Sequence, residues 1–183
     1  MEKPVIIIGT TGLGKVALDI FQKNDIIVYG FLTTTASTEN ETTTSTIHDI
    51  PLLGHVDDEQ YFDLIGASCA VCIALPEKTA REDIIHQLRH KQVVPINAIH
   101  PTTTVATTTH LGHGNLLSSQ VAIGPATTLG DHVTLHTNVV IEHDVTLGDY
   151  VQIGAGSVIG TRTKIDAGAF IGTGVTIAPG VHI

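Results

Sequence analysis

Tryptophan is absent from this 183-residue chain, and aromatic residues together make up only 4% of it. A core must therefore be built from Ile, Val, Leu and Ala, a palette that suits β-branched strands repeated many times. Cysteine is nearly absent too. The two present, Cys69 and Cys72 in SCAVCIAL, have no second pair to complete a metal or redox motif. They read as small apolar residues of a strand. Basic side chains are scarce: 9 Lys and Arg face 18 acids, a formal net charge of −9. That excludes nucleic acid as a partner, because phosphate backbones demand clustered cations. A small phosphorylated molecule held by backbone amides stays open. No apolar run reaches membrane-spanning length. MEKPVIIIG is too short in its apolar part for a secretory signal, so a cytoplasmic location is expected.

What is abundant is repetition. From Val105 onward an aliphatic residue recurs every six positions without interruption: Val105, Leu111, Leu117, Ile123, Leu129, Leu135, Ile141, Leu147, Ile153, Ile159, Ile165, Ile171, Ile177 and Ile183. Gly often follows it, as at 112, 124, 130, 148, 154, 160 and 172. Four residues after the aliphatic comes a small or β-branched side chain such as Val121, Val133, Val139, Val145 or Val151. Period six scatters apolar residues around a 3.6-residue helical turn, so a helix is excluded. A hexapeptide period is the mark of a parallel β-helix. Three hexads close a triangular coil, each aliphatic stacks on its counterpart eighteen residues away, and the Gly beside it is expected to permit a tight corner.

The first half is organised differently, and the length allows two small domains. PVIIIG reads as a buried strand, GTTGLG (residues 9–14) as a Gly-rich turn, and KVALDIFQKN as a helix with Val16, Ala17, Ile20 and Phe21 on one face. IIVYGFL is a second strand, HVDDEQYFDLI a short helix, CAVCIAL a third strand and EKTAREDIIHQL a third helix. Between the second strand and the short helix, residues 33–50 are polar, Thr-rich and unpatterned, which predicts a mobile loop. The alternation argues a small parallel sheet of Rossmann-like type over residues 1–100, followed by the β-helix over 101–183. Glycines after a first strand let a helix N-terminus approach an anion, so Gly9, Thr10, Thr11, Gly12, Leu13 and Gly14 are candidates to bind substrate phosphate. A turn with no ligand is the alternative. The spacing G-x-x-G-x-G and the missing acid after the second strand speak against a dinucleotide.

Eleven histidines stand out. A corner histidine of a β-helix needs no burial, so exposure to solvent explains most of them. His110, His113, His132 and His136 do not suggest a metal: His132 and His136 are four apart and fall on different hexad positions, so no metal is expected. His143 differs, because in VVIEHDVTLGDY it lies between Glu142 and Asp144. Imidazole beside a carboxylate suits general-base chemistry near neutral pH.

IEHDVTLGD, GTTGLGKVALDI and AIHPTTTVA together resemble the hexapeptide-repeat acyltransferases of the branch that contains the sialic acid O-acetyltransferases and the UDP-4-amino-sugar N-acetyltransferases. The resemblance spans nearly the whole chain. It implies a left-handed parallel β-helix, a homotrimer, acetyl-CoA as co-substrate and a sugar or nucleotide sugar as acceptor. It gives His143 the role of base and Asp144 that of its carboxylate partner. Gln152, Gly160, Thr161, Gly172 and Thr173 fall where the family holds acetyl-CoA, with an oxyanion donor near Gly160 and Thr161. The Gly-rich turn, Thr33, Thr34 and Arg81 fall where it holds the acceptor. The chain departs from the family at Leu13 and Gln152, where the family has His, at Thr33 to Thr35, where acids are common, and at Pro76, Glu77 and Lys78. The function expected is acetyl transfer to an amine or hydroxyl of a nucleotide-linked amino sugar. A free-sugar O-acetyltransferase and a non-catalytic β-helix scaffold are the alternatives.

Overall fold

The computed structural model describes residues 3–34 and 46–183. It divides into two compact units, Met1–Ile96 and Asn97–Ile183.

The first unit is built around β1 (Val5–Ile8), which is buried along its whole length. That is what an uninterrupted aliphatic run predicts for a central parallel strand. α1 (Gly12–Lys23) follows, burying Gly14, Ala17, Leu18, Ile20 and Phe21. The next elements are β2 (Val28–Thr33), β3 (Thr46–Ile47), β4 (Ile50–His55), α2 (Glu59–Phe62), β5 (Ala70–Ile73) and α3 (Lys78–His90). The sheet order is β3-β4-β2-β1-β5, with β4, β2, β1 and β5 parallel and β3 antiparallel to β4.

The β3–β4 hairpin corrects the expected loop over 33–50, of which residues 35–45 lie outside the described residues. His48 (φ 48°) and Asp49 (φ 66°) make its two-residue turn. Two consecutive left-handed residues match the twist of a hairpin. β4 then pairs with β2 through Phe31–Leu52, Leu32–Gly54 and Thr33–His55. Its Pro51 and Gly54 hid it, since both weaken a strand pattern.

The second unit is a three-sided prism. Among the described residues, fourteen two-residue strands run from Ala98–Ile99 to Thr176–Ile177. Within each face, neighbouring strands pair in parallel at a spacing of eighteen residues, for example Ala122–Val140, Thr128–Thr146 and Thr134–Gln152. The second residue of each strand points inward, and Leu117 to Ile165 along this series are at most 3% exposed. Every such side chain removed from water contributes about 1.5–3 kcal/mol. The first residue of each strand points outward, and the three faces differ. One carries His110, Thr128, Thr146 and Lys164, all exposed; another carries Ala122, Val140 and Val158, half-buried and apolar, between the exposed Thr104 and Thr176; the third carries Ala98, Leu116, Thr134, Gln152 and Phe170.

Glycine plays a different part from the one expected. From Leu111 onward the left-handed corner lies three residues after each inward aliphatic, and seven of these corners are not glycine: Gln120, Ala126, His132, Asn138, Asp144, Tyr150 and Arg162, with φ between 56° and 62°. Gly124 sits where the next coil approaches, since a Cβ there would lie 2.8 Å from the amide nitrogen of His143. Its role is clearance between coils rather than turn geometry. Inward polar residues are matched to backbone in the same periodic way: Thr127 Oγ1 donates to Glu142 O at 2.9 Å and Ser157 Oγ to Gly172 O at 2.9 Å.

Candidate functional site

His143 stands just past the strand Val140–Ile141, on a corner whose backbone is tied to the coils on either side. Asp144 N donates to Pro125 O at 3.0 Å, Glu142 N to Ile159 O at 3.0 Å, and Arg162 N to His143 O at 3.2 Å. The side chains of His143 and Asp144 are about half exposed, at 45% and 53%, so the ring is fixed by its anchor rather than by burial. His143 Nδ1 donates to Asp144 Oδ2 at 2.7 Å. A carboxylate can only accept, so Nδ1 carries a proton, and in the neutral ring Nε2 is then the nitrogen with a lone pair to offer. Asp144 reaches this position from the left-handed backbone (φ 59°), a conformation Asp tolerates better than most residues. Glu142, its rival for the imidazole, is exposed and makes no ion pair among the described residues.

Thr161 is the residue one coil beyond His143, and Gly160 precedes it. The Gly160 amide is spent on Ile177 O at 2.9 Å, whereas the Thr161 amide has no acceptor among the described residues. Gln152, Gly172 and Thr173 are elsewhere. They belong to the strand Gln152–Ile153 and to the corner after Phe170–Ile171, on a different face of the prism. The five residues expected around acetyl-CoA therefore divide between two edges of one chain. The sequence signal for this was present, since 143 and 152 are nine apart and eighteen residues make one coil.

On the edge with Gly172 lies His136, half-buried, whose basicity burial pushes below the ordinary imidazole value. Among the described residues no three metal-ligating side chains converge.

The first unit holds a cavity of about 140 Å³ lined by Gly9, Thr10, Thr11, Thr33, Thr34, Leu75, Pro76, Glu77 and Ala80. It opens beyond the C-terminal ends of β1, β2 and β5, where parallel sheets receive ligands. Five of the expected acceptor residues line it: Gly9, Thr10, Thr11, Thr33 and Thr34. Gly9 adopts φ +120°, and a Cβ there would run into Ala74 O, so only glycine fits. Gly12 and Leu13 lie in the first turn of α1 outside the lining, and Gly14 is buried against the Gly9 carbonyl. Arg81 is 2% exposed on α3 and does not line the cavity. Leu75 and Ala80 were not expected. They follow from the position of β5 and α3, a tertiary fact that local pattern does not carry. Among the described residues Glu77 is the one ionisable side chain in the lining.

Residues 126–161 match the family model described as bacterial transferase hexapeptide (six repeats). No curated protein matches the chain significantly. Among solved structures, the acetyltransferase domain of PglB from Neisseria gonorrhoeae is similar over 98% of this chain and 93% of its own, at 17% identity and a TM-score of 0.79. A mutant of perosamine N-acetyltransferase from Caulobacter crescentus, in complex with CoA and GDP-perosamine, is similar over 98% and 88%, at 22% identity and a TM-score of 0.72. WeeI from Acinetobacter baumannii is similar over 98% and 93%, at 21% identity and a TM-score of 0.66. The chain resembles these three structures in fold along nearly its whole length.

Proposed function

We propose that the protein is an acetyl-CoA-dependent acetyltransferase whose acceptor is the amine of a nucleotide-linked amino sugar, with His143 as general base. The observation that carries this is the 2.7 Å bond from His143 Nδ1 to Asp144 on an exposed corner, which turns Nε2 of the neutral ring toward a proton-accepting role. The similar perosamine N-acetyltransferase was solved with CoA and GDP-perosamine, which supports the choice of both substrates.

The acceptor nitrogen attacks the thioester carbonyl while Nε2 takes its proton. The negative charge passes to the carbonyl oxygen, for which the Thr161 N–H, without an acceptor among the described residues, acts as donor. Collapse expels the thiolate of CoA, which receives the proton back from Nε2. Asp144 holds the tautomer and stabilises the imidazolium between the two transfers. No Ser or Cys neighbours His143 in the chain, so transfer is direct, within a ternary complex.

The rest of the assignment follows from this role. The prism, left-handed as in the family, carries donor and base; the first unit, Rossmann-like, holds the nucleotide in the cavity beside Thr10, Thr33 and Glu77. Because Gln152, Gly172 and Thr173 lie on a different edge from His143, a complete donor groove needs a second copy. A homotrimer supplies it, packed through the apolar face of Ala122, Val140 and Val158. Such an enzyme works in the cytoplasm, where both substrates are made.

A free sugar is the second reading of the acceptor, favoured by the lack of any cationic side chain among the described residues that line the cavity. Initial rates of transfer from acetyl-CoA to a panel of amino-sugar nucleotides and free sugars decide the matter. His143→Ala is expected to lose about 10²–10⁴-fold in kcat. Its affinity for CoA should be unchanged. Equal rates for wild type and variant refute the base, and transfer to free sugars alone selects the second reading.

A further inference from the structure

The cavity beside Glu77 lies at the carboxyl ends of β1 and β5. A second cavity, of about 380 Å³, lies at their amino ends, where Lys3 leads into β1 and Ala70 opens β5. The loop after α3, Lys91 to Val94, makes its other wall. A volume of this size is in the range of small-molecule sites. The two cavities are opposite in sign. Among the described residues the first is lined by one acid and no cation, the second by Lys3 and Lys91 and no acid.

The two lysines are not equivalent. Lys91 Nζ is held by Asp63 Oδ1 at 2.6 Å and by Phe62 O at 3.1 Å, so its charge is already balanced. Lys3 Nζ donates to Gly66 O at 2.6 Å and makes no ion pair among the described residues. A carbonyl fixes an ammonium without neutralising it, and two of its three donors stay free. The charge of Lys3 is felt at the Cys69 thiol in the same lining: burial pushes that thiol up, and Lys3 pulls it back in part. The shift is upward on balance, so the thiol keeps its proton near neutral pH and no thiolate competes for the lysine.

Further donors stand in this lining. The amides of Ala67 and Val94 have no acceptor among the described residues. Gln92 occupies the left-handed position (φ 55°) after α3, where glycine is usual, and brings a carboxamide to the wall. Its N–H donates to Arg89 O at 3.0 Å and that of Val93 to Leu88 O at 3.1 Å, so part of the negative charge at the helix end is already met. Ile65, Val93 and Val94 supply apolar wall, and Val94 is 57% exposed.

We propose that this cavity binds a small organic monoanion, a carboxylate on a short apolar body, with its head on Lys3 and its tail against Val93 and Val94. One unbalanced cation matches one negative charge. A phosphate dianion would call for a second, and Lys91 is spent on Asp63. The site is separate from the cavity beside Glu77 and does not depend on the acetyltransferase reading.

Calorimetric titration of the full chain with hexanoate, hexanol, acetate and hexyl phosphate tests it. Hexanoate should bind. Hexanol keeps the tail without the charge and should bind about 10- to 100-fold more weakly, the range of a lost hydrogen bond to a charged group. Acetate keeps the head but lacks most of the tail and should be weaker by about 100-fold. Hexyl phosphate should gain nothing over hexanoate. Lys3→Gln should weaken hexanoate by about 10- to 100-fold. Val94→Asp, at an exposed position where folding is not at stake, should weaken it by like-charge repulsion. Lys23→Gln, at an exposed ion pair on α1, should change it by less than about twofold. Failure of hexanoate to bind at millimolar concentration overturns the proposal, as does binding that Lys3→Gln and Val94→Asp both leave unchanged. Hexyl phosphate binding tenfold or more tighter than hexanoate, by about the range of one charge-assisted bond, overturns the choice of a monoanion. Acetate binding as tightly as hexanoate overturns the apolar subsite.

Discussion

Ile141 in the prism has Ile123 on one side and Ile159 on the other, in the same register and all at most 3% exposed. Ile7 in β1 is just as buried, yet its partners are Phe31 and Cys72, and no other residue shares its surroundings. The prism is a set of columns in which position dictates residue type. The α/β unit is a set of contacts made once. In the first kind of structure a departure from the column carries information, as a Glu-His-Asp run does on a corner. In the second, departures are ordinary and say little.

That contrast is open to direct attack. The largest effect is expected from adding one methyl group to a clearance glycine. Gly124→Ala drives a Cβ against the Glu142–His143 peptide and should cost about 3 kcal/mol or more. Gly12→Ala makes the same change in α1, where nothing lies within 4 Å, and should stay within about 1 kcal/mol of wild type. Urea denaturation of both variants measures the gap, and equal midpoints would dissolve the distinction.

Next in size is the inward polar column. Thr109, Thr127, Val145 and Thr163 occupy equivalent places, so the column already accepts valine once. Thr127→Val removes the hydrogen bond to Glu142 O and should cost about 1 kcal/mol. A loss several times larger would mean that the columns are not interchangeable.

The smallest effect concerns His136. Burial holds its folded value below 6.5, so the unfolded chain takes up that proton first as pH falls. The folded state therefore loses stability as pH drops through the ordinary imidazole range, and the loss is complete below the lowered folded value. His136→Gln should make the thermal midpoint less sensitive to pH between about 7 and about 5. Parallel curves for the two proteins would show that this ring does not contribute.

The same contrast explains what could be read in advance. Fourteen evenly spaced aliphatics predict the prism, because a periodic pattern has one periodic solution. The role of the glycines beside them did not follow. Clearance between coils is a through-space property, and a turn is the more familiar reason for glycine. In the first unit the strands β1, β2 and β5 and helices α1 and α3 follow from their apolar patterns. The β3–β4 hairpin escaped, since Pro51 and Gly54 break the alternation a strand should show. At the cavity, Gly9 to Thr11 were within reach of local pattern and Thr33 and Thr34 of the family resemblance, whereas Leu75 and Ala80 needed the sheet order. Arg81 shows the converse: a charge that looks available in sequence is buried behind the helix face.

From Ala98 to Ile177 the pairing never leaves the eighteen-residue register. The prism therefore behaves as a screw thread with a fixed number of residues per pitch. Excising one whole pitch between two corners returns every later side chain to its former face and shortens the rod by one step. Excising a single hexad moves every later side chain onto the neighbouring face, so that a cut between Ile141 and Lys164 would bring Lys164 onto the face that Val140 occupies. The length of the rod is free to vary in units of one pitch, and its sidedness is not free at all.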